Sequence, residues 1–141
     1  MARKTSRLPA HEMRKYNLEH DAQAAAFTWA KLAESRFPEL ALLFAIPNGG
    51  HRHIAVAKKM QLEGVKSGVP DMCLPVARQG FHGLFIEMKS ADSRPKRPGS
   101  KGPLSEEQRR WLQALNDQGY RAAVCFGSQE AIDLLTQYLS Q

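Results

Sequence analysis

The sequence predicts an α/β fold of one domain, with a mixed central sheet flanked by helices. Three observations lead there. Helix-like segments alternate with short apolar runs in the order α-β-α-β-β-α-β-α. Two of the apolar runs are neighbours joined by a short turn, which makes them a β-hairpin. The chain has 141 residues with no internal repeat and no strong linker, enough for one core.

Each element has its own warrant. Residues 1–16 are basic and read as an N-terminal arm, with residues 17–141 forming the domain. A helix is expected from about Leu18 to Arg36, because Ala22, Ala26, Trp29, Ala30 and Ala33 recur at three or four and make one buried face. Pro38 fits a stop just beyond it. Leu42–Ile46 is a short strand closed by the turn Pro47-Asn48-Gly49-Gly50. Ile54 to Glu63 reads as a helix ended by Gly64. Asp71–Val76 and Leu84–Lys89 are the hairpin strands, with Arg78-Gln79-Gly80 turning between them. Ser105 and Gln108 form a capping box that opens a helix running to about Gln118, with Gly119 as its stop. Trp111 and Leu112 belong to that helix's core face. Tyr120–Phe126 is a buried strand, and Ser128 opens a last helix to about Leu139.

Composition narrows the class. The apolar fraction is that of a globular protein. No apolar run approaches the roughly 18 residues that span a bilayer, and the basic start lacks a secretory apolar stretch, so a soluble, cytoplasmic protein is expected with no membrane partner. Cys73 and Cys125 sit in apolar runs without a CxxC partner, so both read as buried thiols rather than a disulfide or zinc site. The formal charge is +6 and it is clustered. Arg3, Lys4, Arg7, Arg14 and Lys15 form a basic head, and Arg94, Lys96, Arg97 and Lys101 lie in one Pro/Gly-rich stretch. Either cluster alone is equally a solvated surface; beside an acidic centre they lean toward nucleic acid.

That acidic centre is Val69-Pro70-Asp71 followed by Glu87-Met88-Lys89. Strand residues two apart share a face, so Glu87 and Lys89 point one way and Met88 the other. The proposed hairpin lets Asp71 lie beside Glu87. Adjacent carboxylates repel unless a cation lies between them, and a hard divalent ion such as Mg²⁺ or Mn²⁺ takes oxygen ligands. An ion held there lowers the pKa of a bound water and stabilises charge on a phosphoryl oxygen, while Lys89 orients that water or stabilises the transition state. PD and ExK are each common. Placed on two consecutive apolar strands they are much more specific, and they point to phosphodiester cleavage.

Several ordered motifs extend the pattern: Glu19-His20-Asp21-Ala22-Gln23, Ile46-Pro47-Asn48-Gly49-Gly50, Glu63 through Asp71, Gly83 through Lys89, and Leu104 through Gln108. Together they resemble the virus-type replication-repair nuclease (VRR-NUC) family, a branch of the PD-(D/E)xK superfamily, from about Glu19 to Leu139. The resemblance implies a restriction-endonuclease-like domain that cuts DNA with Mg²⁺ or Mn²⁺. It implies Asp71 and Glu87 as metal ligands, the Met88 carbonyl as a further ligand, and Lys89 as the catalytic lysine. Glu19 would complete or support the metal site, and Gln108 would contact the site and help hold Lys89. Stand-alone members resemble Holliday-junction resolvases, so a homodimer acting on four-way or other branched DNA is implied.

Plainer readings stand beside these. Glu19 and Gln23 also fit a solvated pair on one helix face. Capping alone explains Gln108, and a side chain reaching back to Ser105 is not expected to reach the site as well. Asn48 most simply ends its turn. His51 and His53 flank Arg52 without a third ligand of their kind, so phosphate contact by Arg52 or a plain loop is expected. Lys66 is either a phosphate contact or a surface lysine. The alternatives to a junction-type enzyme are a less structure-selective phage endonuclease, a non-catalytic DNA-binding module of the same fold, and an unrelated α/β protein in which PD and ExK coincide.

Overall fold

Pro9 sets the first boundary, because it is fixed in the extended conformation that precedes a helix and its carbonyl accepts the first amides of the turn that follows. A computed structural model describes residues 8–47 and 54–141. Arg3, Lys4, Arg7, Asn48, Arg52, and the pair His51 and His53 lie outside the described residues.

Helix α1 spans Ala10–Ala33, strand β1 Phe44–Ala45 and helix α2 Ile54–Leu62. Strands β2 and β3 span Met72–Leu74 and Leu84–Lys89. Helix α3 covers Glu106–Asp117, β4 Arg121–Phe126 and α4 Ser128–Leu139. Short 3-10 turns occupy Pro38–Leu42 and Ala91–Ser93. The order of helices and strands is the expected one. No helix among the described residues is long and apolar enough to cross a membrane.

Two boundaries differ from expectation. α1 starts at Ala10, so residues 10–16 are its first turns and not part of an arm. These turns are exposed on all sides, so no apolar period marks them. The strand expected over Leu42–Ile46 shrinks to Phe44–Ala45, because Pro38 opens a 3-10 turn that runs through Leu42.

The sheet order is β1-β2-β3-β4. β2 pairs antiparallel with both β1 and β3, whereas β4 lies parallel to β3. A parallel neighbour needs a crossover, and α3 supplies it. The hairpin turn closes at Arg78 and Phe81, with Gln79 and Gly80 both at positive φ. That is the twist a two-residue hairpin loop requires. Gln79 tolerates the position while its Nε2 donates to the Gln137 and Tyr138 carbonyls at the end of α4.

β3 is central and covered on both faces, so its alternation divides a core from a site. Leu84, Ile86 and Met88 enter the main core with Ala26 and Ala30 of α1 and Ala131 and Leu135 of α4. Trp29 and Ala33 pack against that core, partly buried. Phe85, Glu87 and Lys89 take the opposite face, where Glu87 meets Gln108 of α3 and Phe85 meets Tyr120. Trp111 and Leu112 of α3 are half-buried rather than core, because this helix covers its face only in part. Both cysteines are buried free thiols.

Across the core, the Tyr138 hydroxyl donates to the Val76 carbonyl at 2.6 Å. Tyr138→Phe leaves that buried carbonyl without its partner and should cost about 1–3 kcal/mol. The check is urea denaturation. A lower midpoint at constant slope is expected, and an unchanged midpoint would show that the bond adds nothing.

Candidate active site

Asp71 is fixed from both neighbouring strands. Its carbonyl accepts the Ile46 amide at 2.8 Å, and its Oδ2 accepts the Met88 amide at 2.6 Å. The hairpin register Met72↔Ile86 places Asp71 level with Glu87, as the spacing anticipated. Pro70 before it is fully buried, so the chain enters the site at a fixed angle.

Glu87 and Lys89 are 3% and 4% exposed, a burial that charged side chains tolerate only with partners. Lys89 Nζ lies 3.8 Å from Glu87 Oε1 and 3.7 Å from Glu19 Oε1. Glu19 therefore reaches the site from α1, but its contact is with Lys89. Its Oε1 is buried and accepts no hydrogen bond.

Gln108 serves two ends at once. Its Oε1 accepts the Ser105 amide at 2.9 Å, completing the capping box. Its Nε2 donates to Glu87 Oε1 at 2.9 Å. The expected competition between capping and the site does not arise, because the amide offers an acceptor on one side and a donor on the other. Its contact is with Glu87, not with Lys89.

The loop before Asp71 holds α3 in place. Ser67 Oγ donates to Glu107 Oε2 at 2.7 Å. Gly68 has φ +87, and a Cβ there would meet Glu107 backbone and side-chain atoms at 2.8 Å. Only glycine allows this approach, which sets the distance from the Asp71 loop to Gln108.

Together Glu19, Asp71, Glu87, Met88 and Gln108 line a cleft of about 420 Å³, with Tyr16 at its side. All three carboxyls are held above their usual range. Burial is the main cause for each; the neighbouring Asp71 charge adds to it at Glu87, which is pushed up to about 9. Among the described residues no three acidic, His or Cys side chains converge tightly enough to hold a metal unaided. The donors that do converge are the Asp71–Glu87 pair, with the Met88 backbone beside them. Two carboxylates with backbone and water as the other ligands fit a hard divalent ion of the Mg²⁺ type. Burial and mutual proximity make the ionised form of these carboxyls costly within the chain alone, a cost that a cation between them would relieve.

The basic residues divide. Lys66, Lys96, Arg97 and Lys101 are exposed. Arg94 is engaged within the chain: its guanidinium pairs with Glu130 and lies 4.7 Å from the Phe126 ring centroid. That tether pins the 94–103 segment to β4 and α4.

Two predictions follow from this geometry. Gly68→Ala combines a clash with a left-handed backbone and should cost about 1–3 kcal/mol, read as a lower denaturation midpoint. A neutral result would show that α3 shifts freely. Glu87 binds its proton more tightly folded than unfolded, so the folded state carries more protons between about 4.5 and about 9. Metal-free stability should therefore fall as pH rises through that window. Glu87→Gln should remove much of this slope and raise the melting temperature at pH 8 by roughly 3–6 °C. A parallel pH profile in the variant would assign the dependence elsewhere.

The family model for the VRR-NUC domain matches residues 4–129. A solved structure described as a VRR_NUC domain protein is similar with a TM-score of 0.66 and 26% identity, over 87% of this chain and 88% of that one. No curated protein matches the chain. With its mixed four-stranded sheet and the match running through most of its length, this chain belongs to the VRR-NUC domain family.

Proposed function

We propose that this protein is a Mg²⁺- or Mn²⁺-dependent DNA endonuclease acting on branched DNA such as four-way junctions. The observation that carries the reading is the Asp71–Glu87 carboxyl pair, level on adjacent strands and buried beside Lys89. A binding module has no need of such an arrangement, because burying like charges together is costly unless chemistry uses them.

Asp71 and Glu87 would hold the ion, with the Met88 carbonyl as a further donor. Glu19 would act through Lys89. When bound, the ion supplies a water of lowered pKa and stabilises charge on the phosphoryl oxygens. Gln108 holds the Glu87 carboxyl in one orientation while α3 is capped by the same side chain. Lys89, flanked by Glu19 and Glu87, orients the attacking water or stabilises the charge of the transition state. Attack of water on phosphorus forms one P–O bond and breaks another. The products are a phosphate monoester and a hydroxyl, which takes the proton.

Branched DNA has two strands to cut, which suits a two-fold pair of sites. We assign the partner as a second copy of this chain, supported by exposed apolar side chains on α2 and on edge strand β1. α2 buries none of its residues, Ile54, Val56 and Leu62 are exposed, and so is Phe44 on edge strand β1. Light scattering should give a dimer, and Leu62→Asp with Val56→Asp a monomer. A monomeric parent would remove this part of the reading.

The deciding assay is cleavage of labelled linear, flapped and four-way DNA with Mg²⁺ or Mn²⁺ and with EDTA. Asp71→Ala and Glu87→Ala should abolish cutting and spare DNA binding. Lys89→Ala should lower turnover with less loss of metal affinity. Gln108→Ala should cut activity by about tenfold to a hundredfold, the usual cost of losing a group that orients a metal ligand. Tight, salt-sensitive binding without cutting on any substrate would point instead to a non-catalytic module.

A further inference from the structure

Beyond Lys89 the chain turns through Ala91–Ser93, and this turn faces the early turns of α1 across a second cavity of about 320 Å³. One wall carries Arg14, Lys15 and the His11 imidazole. The other is Ser90, Asp92 and Ser93. The serines are satisfied within their own turn. Ser90 Oγ donates to Asp92 Oδ1 at 2.7 Å, and Ser93 Oγ donates to the Ser90 carbonyl at 2.7 Å. Asp92 is thus already an acceptor for Ser90. Lys15 is near enough to Glu19 to favour that acid's ionised form, while Arg14 has no carboxylate within ion-pair distance among the described residues. Two permanent cations and an imidazole therefore face a turn that carries one carboxylate, so the lining keeps a net positive charge.

The position of this cavity gives it a meaning. Lys15 precedes Glu19 by four residues, so the two lie on neighbouring parts of one helix face, about 6 Å apart along the axis. Ser90 directly follows Lys89. Both walls of the cavity are therefore continuations of elements that build the active site, one on α1 and one on β3. An anion seated here would lie beside the elements that carry Glu19 and Lys89. Because α1 is helical from Ala10, the backbone that carries these cations has a defined place beside the turn.

We propose that His11, Arg14 and Lys15 form a subsite for the DNA backbone phosphate flanking the scissile one. This rests on the nuclease reading for the identity of its neighbour site. The subsite sets which bond along the strand reaches Glu87, since a strand held at two points cannot slide between them. It also offsets the repulsion that the acidic centre exerts on DNA.

The test is fluorescence anisotropy with labelled four-way and duplex DNA, in EDTA so that nothing is cut. It compares the parent with Arg14→Ala/Lys15→Ala. Both residues are exposed, and equal melting temperatures confirm an intact fold. The variant should bind about tenfold more weakly, and its plot of log K against log salt should be shallower by about one. A scan of single methylphosphonate substitutions should weaken the parent at a position where the variant is indifferent. An unchanged salt slope, or a methylphosphonate effect that persists in the variant, would overturn the subsite. A shallower slope in a protein that cuts nothing in Mg²⁺ would keep the phosphate site and remove the nuclease reading. Cutting with an unchanged slope would do the reverse.

Discussion

The structure is organised around a carboxyl that a folded chain would ordinarily avoid burying. Glu87 lies on the central strand, under α3, with Asp71 level beside it. Its neighbours follow from its needs. Gln108 donates to it, Lys89 lies near it, and Glu19 approaches the same lysine from the far helix. Glu87 and Lys89 share β3, Asp71 immediately precedes β2, and Gln108 and Glu19 come from α3 and α1, so all of these must be in place for the group to exist. The short strands and the close glycine contact at Gly68 read as the geometry that brings them there.

The alternation along β3 allows stability and chemistry to coexist. One face delivers Leu84, Ile86 and Met88 to a core that α1 and α4 close. The other carries Phe85, Glu87 and Lys89, and the helix that meets it at Glu87 covers it only in part. A well-packed core on one side holds the strand while its opposite side carries unfavourable charge. The Tyr138–Val76 bond and the Gln79 contacts to the end of α4 fasten the hairpin's far end. The strand is therefore held at both extremities.

Much of this could be read from residue order. Period-two spacing put Glu87 and Lys89 on one face, and the hairpin brought Asp71 alongside. α4 runs from Ser128 to Leu139 as its pattern foretells. The failures have physical causes. The first turns of α1 bury nothing, so hydropathy has no period to display there. Arg94 sits among prolines and glycines and reads as a solvated charge, yet its partner Glu130 is distant in sequence. Glu19 pairs with Lys89, a contact that depends on how α1 crosses the sheet. Only tertiary structure decides such matters. The double use of Gln108 was legible in principle, since an amide carries both a donor and an acceptor.

That amide separates two sequence patterns usually treated as equivalent. Glutamate and glutamine both complete a capping box, and for the helix start alone either serves. Here a carboxylate at position 108 would satisfy Ser105 and, whenever Glu87 is ionised to hold a cation, turn its second oxygen on Glu87, acceptor against acceptor. The helix would form and the site would be repelled. Glutamine at the third position of this helix is thus a chemical marker: it separates a helix end that only begins a helix from one that also reads a neighbouring acid.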